Sequence, residues 1–215
     1  MTPDDRTPLA TLPLLAVDVE TTGLKAGHDT LLAVGWVPVN GSRIDLSGAR
    51  RLVVRHDDPG GAVTIHGLTH DDLEEGRPLV AVLAELREAL AGRAFLAHHA
   101  PFDVAFLDAA FRAVGERAPA PPVVCTLVLQ RRLLSRHGEI PRGALRLWRA
   151  RAHYGLAPAK AHDALNDAIA CAELYLAQAA EISTGGVSRL GDVRLRESWT
   201  QRLRAWLRAR FARRD

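Results

Sequence analysis

Asp18 and Glu20 close an apolar run, Leu14-Leu15-Ala16-Val17-Asp18-Val19-Glu20, that reads as a buried strand. Side chains two apart on a strand share a face, so the two carboxylates point the same way. Held that close they repel each other, and burial drives protons back onto them. A hard divalent cation such as Mg²⁺ or Mn²⁺ removes the conflict, because carboxylate oxygens are the ligands it prefers. An acidic turn running into Thr21-Thr22-Gly23 accounts for the pair equally well, so further acids decide the matter. Asp103, in Ala97-His98-His99-Ala100-Pro101-Phe102-Asp103, falls in the first turn of a helix, where it also complements the helix dipole. Asp167, in His162-Asp163-Ala164-Leu165-Asn166-Asp167-Ala168, falls at another helix start, where a simple cap is the competing explanation. Four carboxylates from strand tips and helix starts, with His162 beside the last, form the inventory of a two-metal phosphodiester hydrolase.

The elements that must position these groups follow from periodicity. Leu14–Glu20 predicts strand one and Thr30–Val39 strand two, joined to a third strand within Arg43–Arg55 by the hairpin signal Asn40-Gly41. Thr69 caps a short helix, and Leu79, Val82, Leu83, Leu86 and Leu90 recur at helical spacing up to Gly92. Ala94–His98 and Val123–Thr126 predict two further strands, with a helix opened by Pro101 between them. Leu127–Leu134, Ala144–Tyr154 and Asp163–Ala180 complete the pattern as helices. A meander followed by alternating helices and strands is an α/β arrangement, a mixed sheet covered by helices.

Composition sets outer bounds. At 215 residues, with 47% apolar and 25% charged residues, the chain suits one globular domain plus a tail. No apolar run approaches the ~20 residues of a membrane span, so no membrane association is expected. Residues 1–13 carry Asp4, Asp5 and three prolines; they read as a mobile arm and lack a signal-peptide layout, which predicts a cytoplasmic protein. Cys125 and Cys171 lie in apolar segments and read as buried free thiols. The segment 131–151 holds seven arginines against Glu139, either a track for a polyanion or a solvated helical face.

On these motifs, residues 13–180 resemble the DEDDh superfamily of 3′→5′ exonucleases, and most of all the epsilon-type proofreading exonucleases of bacterial replicative polymerases. Asp18-Val19-Glu20-Thr21-Thr22-Gly23-Leu24 matches the first motif, Phe102-Asp103 the second and His162 to Ala168 the third. His66-Gly67-Leu68-Thr69 is similar to a family segment beside the terminal nucleotide. The resemblance implies an RNase H-like three-layer α/β/α fold with a mixed five-stranded sheet. It implies two Mg²⁺ or Mn²⁺ ions held by Asp18, Glu20, Asp103 and Asp167, with His162 as general base. Thr21, Thr22, Leu24 and His66 would contact substrate, although the two threonines serve equally to shape the turn. The implied reaction releases nucleoside 5′-monophosphates from single-stranded 3′ ends, DNA favoured over RNA. An exoribonuclease, or a polymerase-associated subunit working through its tail, are the alternative readings. His99 stands where the family usually has Asn, and Cys125 where it usually has Asp.

The expected layout is an arm over 1–13, an exonuclease domain over 14–182, a hinge at 183–186 and a basic tail over 187–215. The tail carries nine arginines against Asp192, Glu197 and Asp215. Trp199, Leu203, Trp206, Leu207 and Phe211 repeat at helical spacing and predict a C-terminal amphipathic helix. Such a stripe must dock on its own domain, on a second copy, or on a partner such as a polymerase.

Overall fold

The computed structural model describes residues 2–57, 67–136, 138–160 and 162–196. The expected amphipathic helix, from Trp199 to Phe211, and His66 lie outside the described residues.

Strand β1, Pro13–Thr21, is the axis of the sheet. Strand β2, Leu31–Asn40, runs antiparallel to it, with Asp18 opposite Gly35 and Glu20 opposite Ala33. The third expected strand is broken in two by a 3-10 turn at Leu46–Gly48. Its parts, β3 (Arg43–Ile44) and β4 (Arg50–Val53), both pair with β2 along one edge. On the other side of β1 lie β5 (Ala94–Ala97) and then β6 (Val123–Cys125), both parallel. The sheet thus has the expected mixed character and five strand positions, one of them shared by β3 and β4.

The β2–β3 hairpin sits one residue later than the Asn40-Gly41 signal suggests. Asn40 pairs with Arg43, which leaves Gly41 and Ser42 in the turn. Gly41 has φ +60 while Ser42 is not left-handed, the pattern of a II′ turn. A Cβ on Gly41 would also lie 2.0 Å from the Ala10 carbonyl oxygen, so glycine is required twice over.

Alternation along β1 builds both faces. Leu15, Val17 and Val19 enter one core with Trp36, Phe95 and the helices α2 (Leu79–Leu90) and α3 (Ala100–Ala113). Leu14 and Ala16 enter the other, against α4 (Thr126–Leu134) and α6 (Ala164–Ile182). These are the three expected layers. Two short helices, α1 (His70–Glu74) and α5 (Leu147–His153), lie on the connections. Thr69 caps α1 as expected, in a reciprocal pair with Asp72. Among the described residues no helix is long and apolar enough to cross a membrane.

The structure differs from the expected layout at both ends. In place of a mobile arm, residues 2–12 pack on the domain, with Leu9 and Leu12 buried. In place of a boundary at 183–186, the chain continues along the same core. The Leu9 amide donates to the Ser188 carbonyl and the Leu190 amide to the Thr7 carbonyl, both at 2.9 Å. The short helix α7, Leu190–Val193, buries its two terminal residues, and Arg194 pairs with Asp5 at 2.9 Å. Proline and acid content suggested an arm, but the two leucines spaced three apart supply the burial that holds it.

Candidate active site

Asp18 and Glu20 continue the face of β1 that Leu14 and Ala16 open, so they emerge where α6 begins. Strand β2 makes room for that helix. A Cβ on Gly35 would fall 2.2–2.4 Å from backbone atoms of Ala164 and Leu165, so the first turn of α6 rests directly on the strand. Ala164, Ala168 and Ala172, one turn apart and fully buried, keep the approach close along the helix. Asp167 is thereby brought against Asp18 and Glu20. Each of the three offers a carboxylate oxygen, all within 4.8 Å of one another.

Asp103 reaches the cluster from the other side. It is buried in the first turn of α3, where its carboxylate accepts from its own amide and from that of Val19. Strand β5 pairs with β1 only through Ala16, so beyond that point Asp103 takes over the edge of β1.

The four acids hold protons tightly. Burial first, then Asp103, Asp167 and Glu20, push Asp18 well above the usual carboxylate range. Glu20 is pushed up to about 7 by burial and by Asp167 and Asp163, against the lowering effect of Arg51. Burial likewise raises Asp103 to about 7, its two amide bonds opposing. Asp167 is raised by burial, with the His162 amide and imidazole opposing. Such a set is poorly suited to stand ionised alone and well suited to hard divalent cations, whose charge would favour the ionised form. All four donors are carboxylates, which fits Mg²⁺ or Mn²⁺.

His162 adjoins Asp167. Its amide donates to Asp167 Oδ2 at 2.8 Å. It has φ +65, the one non-glycine residue in the left-handed region among the described residues. Histidine is among the few side chains enriched there. The residue as a whole is exposed.

The expected substrate residues divide. Leu24 is 72% exposed beyond the turn, a free apolar side chain at the rim. Thr21 and Thr22 spend their hydroxyls on the backbone. Thr21 donates to the Gly23 carbonyl at 2.6 Å, and Thr22 accepts from the Thr30 amide at 3.0 Å. They shape the turn that presents Leu24. His66 is outside the described residues, but Leu68 of the same segment is buried under β2 with Leu32 and Leu73.

Sequence reasoning passed over several residues. Gly35 carried a usable signal, since a lone glycine inside a strand marks a close backbone approach. Asp163 caps α6 through Oδ1, which accepts from the Asn166 amide at 3.0 Å. Its Oδ2 takes Arg51 Nε at 3.0 Å, tying β4 to the helix that carries Asp167. Nothing local marks Arg51. Arg151, counted among the arginines that would face solvent or a polyanion, is 5% exposed instead. It donates to the Ala170 and Ala157 carbonyls and to Glu173, fastening α5 and the loop before His162 to α6.

His98 and Cys125 have core roles. His98 Nε2 lies 2.9 Å from the Leu145 carbonyl, which can only accept, so Nδ1 accepts from the Thr126 hydroxyl at 2.9 Å. Burial lowers His98 to about 4. The Cys125 thiol donates to the His98 carbonyl, and Cys125 and Cys171 are both free and buried, as expected. His99 is exposed and stacks on Phe102, the ring planes 11° apart.

A family profile described as Exonuclease matches residues 15–175. A Mycobacterium tuberculosis protein bearing a bifunctional exonuclease/endonuclease name is 31% identical over 199 residues, which cover 90% of this chain and 30% of that protein. DNA polymerase III PolC-type of Staphylococcus saprophyticus is 28% identical over 188 residues, covering 86% of this chain and 12% of the polymerase. The chain therefore spans less than a third of these relatives. Among solved structures, cell-death related nuclease 4 superposes with a TM-score of 0.70 at 16% identity, over 85% of this chain and 68% of that one. Escherichia coli Exonuclease I in complex with a dT13 oligonucleotide gives 0.68 at 19% identity, over 80% and 41%. At such identities the structures speak for the fold alone.

Proposed function

The chain belongs to the exonuclease family, within the DEDDh superfamily, and from that premise we propose that it removes nucleotides stepwise from the 3′ end of single-stranded DNA. The observation that carries the reading is the convergence of Asp18, Glu20 and Asp167 within 4.8 Å, with Asp103 alongside. Relatives named DNA polymerase support DNA over RNA, and they support a polymerase as partner.

Asp18, Glu20, Asp103 and Asp167 would hold two Mg²⁺ or Mn²⁺ ions. When bound, these supply Lewis acidity, making a water nucleophilic near neutral pH and stabilising the leaving 3′ oxygen. The remaining work falls to the chain. His162 takes the water's proton on its imidazole, from a position fixed by its own amide on Asp167 Oδ2. Arg51 and Asp163 keep the first turn of α6 in register with β1. Leu24 leans on the terminal base, held out by the Thr21 and Thr22 turn; His66 would reach the terminal phosphate. Cleavage on the 3′-oxygen side releases a nucleoside 5′-monophosphate and leaves a new 3′ hydroxyl.

The test is digestion of 5′-labelled single-stranded DNA and RNA side by side, with Mg²⁺ or with EDTA. A ladder receding from the 3′ end, faster on DNA and silent in EDTA, is the expected result. Undiminished hydrolysis in EDTA, or internal cleavage alone, would overturn the reading.

A further inference from the structure

Trp148 is the one large aromatic among the exposed apolar side chains of the described residues, with 56% of it in contact with solvent. The Arg149 guanidinium lies 4.7 Å from its ring centroid. A cation on one side of an exposed indole leaves a flat apolar surface with a positive backing.

Its place relative to the acids follows from hydrogen bonds. The Leu145 carbonyl is bound by His98, His98 by the Thr126 hydroxyl, and that hydroxyl lies 3.6 Å from Cys171 Sγ. Cys171 is one helical turn beyond Asp167 on α6. Three residues span at most about 11 Å, so Trp148 is no farther than that from the Leu145 backbone. The stretch 145–148 is therefore anchored, through His98 and Thr126, to the helix that carries Asp167.

The surroundings are cationic and uncompensated. Arg142, Arg146 and Arg149, all within six residues of Trp148, are exposed, and none forms an ion pair with a carboxylate among the described residues. Elsewhere on the surface arginines pair readily, as Arg77 does with Glu85 and Arg87 with Glu116. Arg131 stands close enough to His99, near Asp103, to disfavour its protonation. An exposed aromatic ring amid unpaired arginines is the chemistry that recognises a single-stranded nucleic acid, bases on the ring and phosphates on the cations.

We infer that Trp148 is a stacking platform for an unpaired base upstream of the 3′ end, with Arg142, Arg146 and Arg149 following the adjoining phosphates. The inference rests on the nuclease reading only for the direction of the strand, toward Asp18. A base within a duplex has both faces covered, so the platform selects single strands.

The experiment is equilibrium binding of a fluorescent single-stranded oligonucleotide in EDTA, followed by anisotropy, for the parent protein, Trp148→Ala and Trp148→Phe. Trp148→Ala should raise Kd roughly 5- to 150-fold, the range of base stacking on an aromatic side chain. Trp148→Phe, which keeps a ring, should recover most of that loss, while a melting curve confirms that both variants are folded. A Trp148→Ala Kd within twofold of the parent's overturns the platform, whatever the enzyme does. Hydrolysis by the parent is scored separately with Mg²⁺. A parent that binds through Trp148 but does not degrade the strand refutes the nuclease reading and leaves the platform standing.

Discussion

The two faces of β1 are made by one stretch of chain and come to different ends. On one face Leu15, Val17 and Val19 lead into a core of Trp36, Leu83, Phe106 and Phe111. On the other, Leu14 and Ala16 lead to Asp18 and Glu20, and the helices behind them bury Thr126, Gln130, Arg151 and Gln178. The first face is built chiefly for burial, and its one contribution to the acids is Asp103 at the start of α3. The other gives up apolar area to place charges and fix the helix that carries Asp167. Stability and activity should therefore separate by face, and substitutions can be chosen to test that separation.

The largest effect is expected at Asp18→Asn. Hydrolysis should fall to the detection limit, while the metal-free variant melts no lower than the parent, because a raised carboxyl is replaced by a neutral group. A clear loss of melting temperature would show that the acids also serve the fold. Leu83→Ala, on the opposite face and on a helix that carries none of the acids, should cost about 2–5 kcal/mol in chemical denaturation yet keep kcat per folded molecule. Lost kcat at full folding would mean the apolar face also tunes the site.

Gly35→Ala crosses the divide. Its methyl cannot coexist with the Ala164 backbone, so α6 must lift and Asp167 with it. A displacement near 1 Å should lower kcat about 10²-fold. The crystal structure of the variant would show whether helix or strand had yielded.

The smallest effect is in pH dependence. Glu20 and Asp103 titrate near 7 in the folded protein, above their ordinary 4.5 and 3.8. The folded state thus holds protons that the unfolded chain has already lost. Their contribution is fully present at low pH and disappears as pH rises through about 7. His98, lowered to about 4, has the opposite sign: its contribution is present above 6.5 and disappears as pH falls through about 4. The His98 contribution is common to parent and Glu20→Gln, so the difference in melting temperature between them should widen from pH 5 to pH 8 without metal. A flat difference would place Glu20 in water.

How far the chain was readable follows the reach of each interaction. The strand face carrying Asp18 and Glu20, the Thr69 cap and the helix start at Asp103 depend on neighbours within a few residues, and all stand where periodicity and residue type put them. Gly35 under Ala164, Arg51 on Asp163 and the pairing of residues 7–9 with 188–190 join segments more than a hundred residues apart. No local pattern encodes them. The dipeptide Asn40-Gly41 placed the hairpin within one residue, and the second demand on Gly41, the Ala10 carbonyl beside it, is invisible from the dipeptide.

The pairing at the end of the described chain bears on the outer border of the sheet. Strand β6 is the outermost of the parallel strands, and a bare outer strand offers its amides and carbonyls to any passing chain. Here the Leu195 amide donates to the Val123 carbonyl at 2.7 Å, and Arg194 bridges Val124 in antiparallel sense. Two residues thus act as a selvedge on the sheet. A fragment cut ahead of Arg194 would carry every catalytic group and still be a poor reagent, because its open border would seek a second sheet; a cut after Arg196 keeps the border closed.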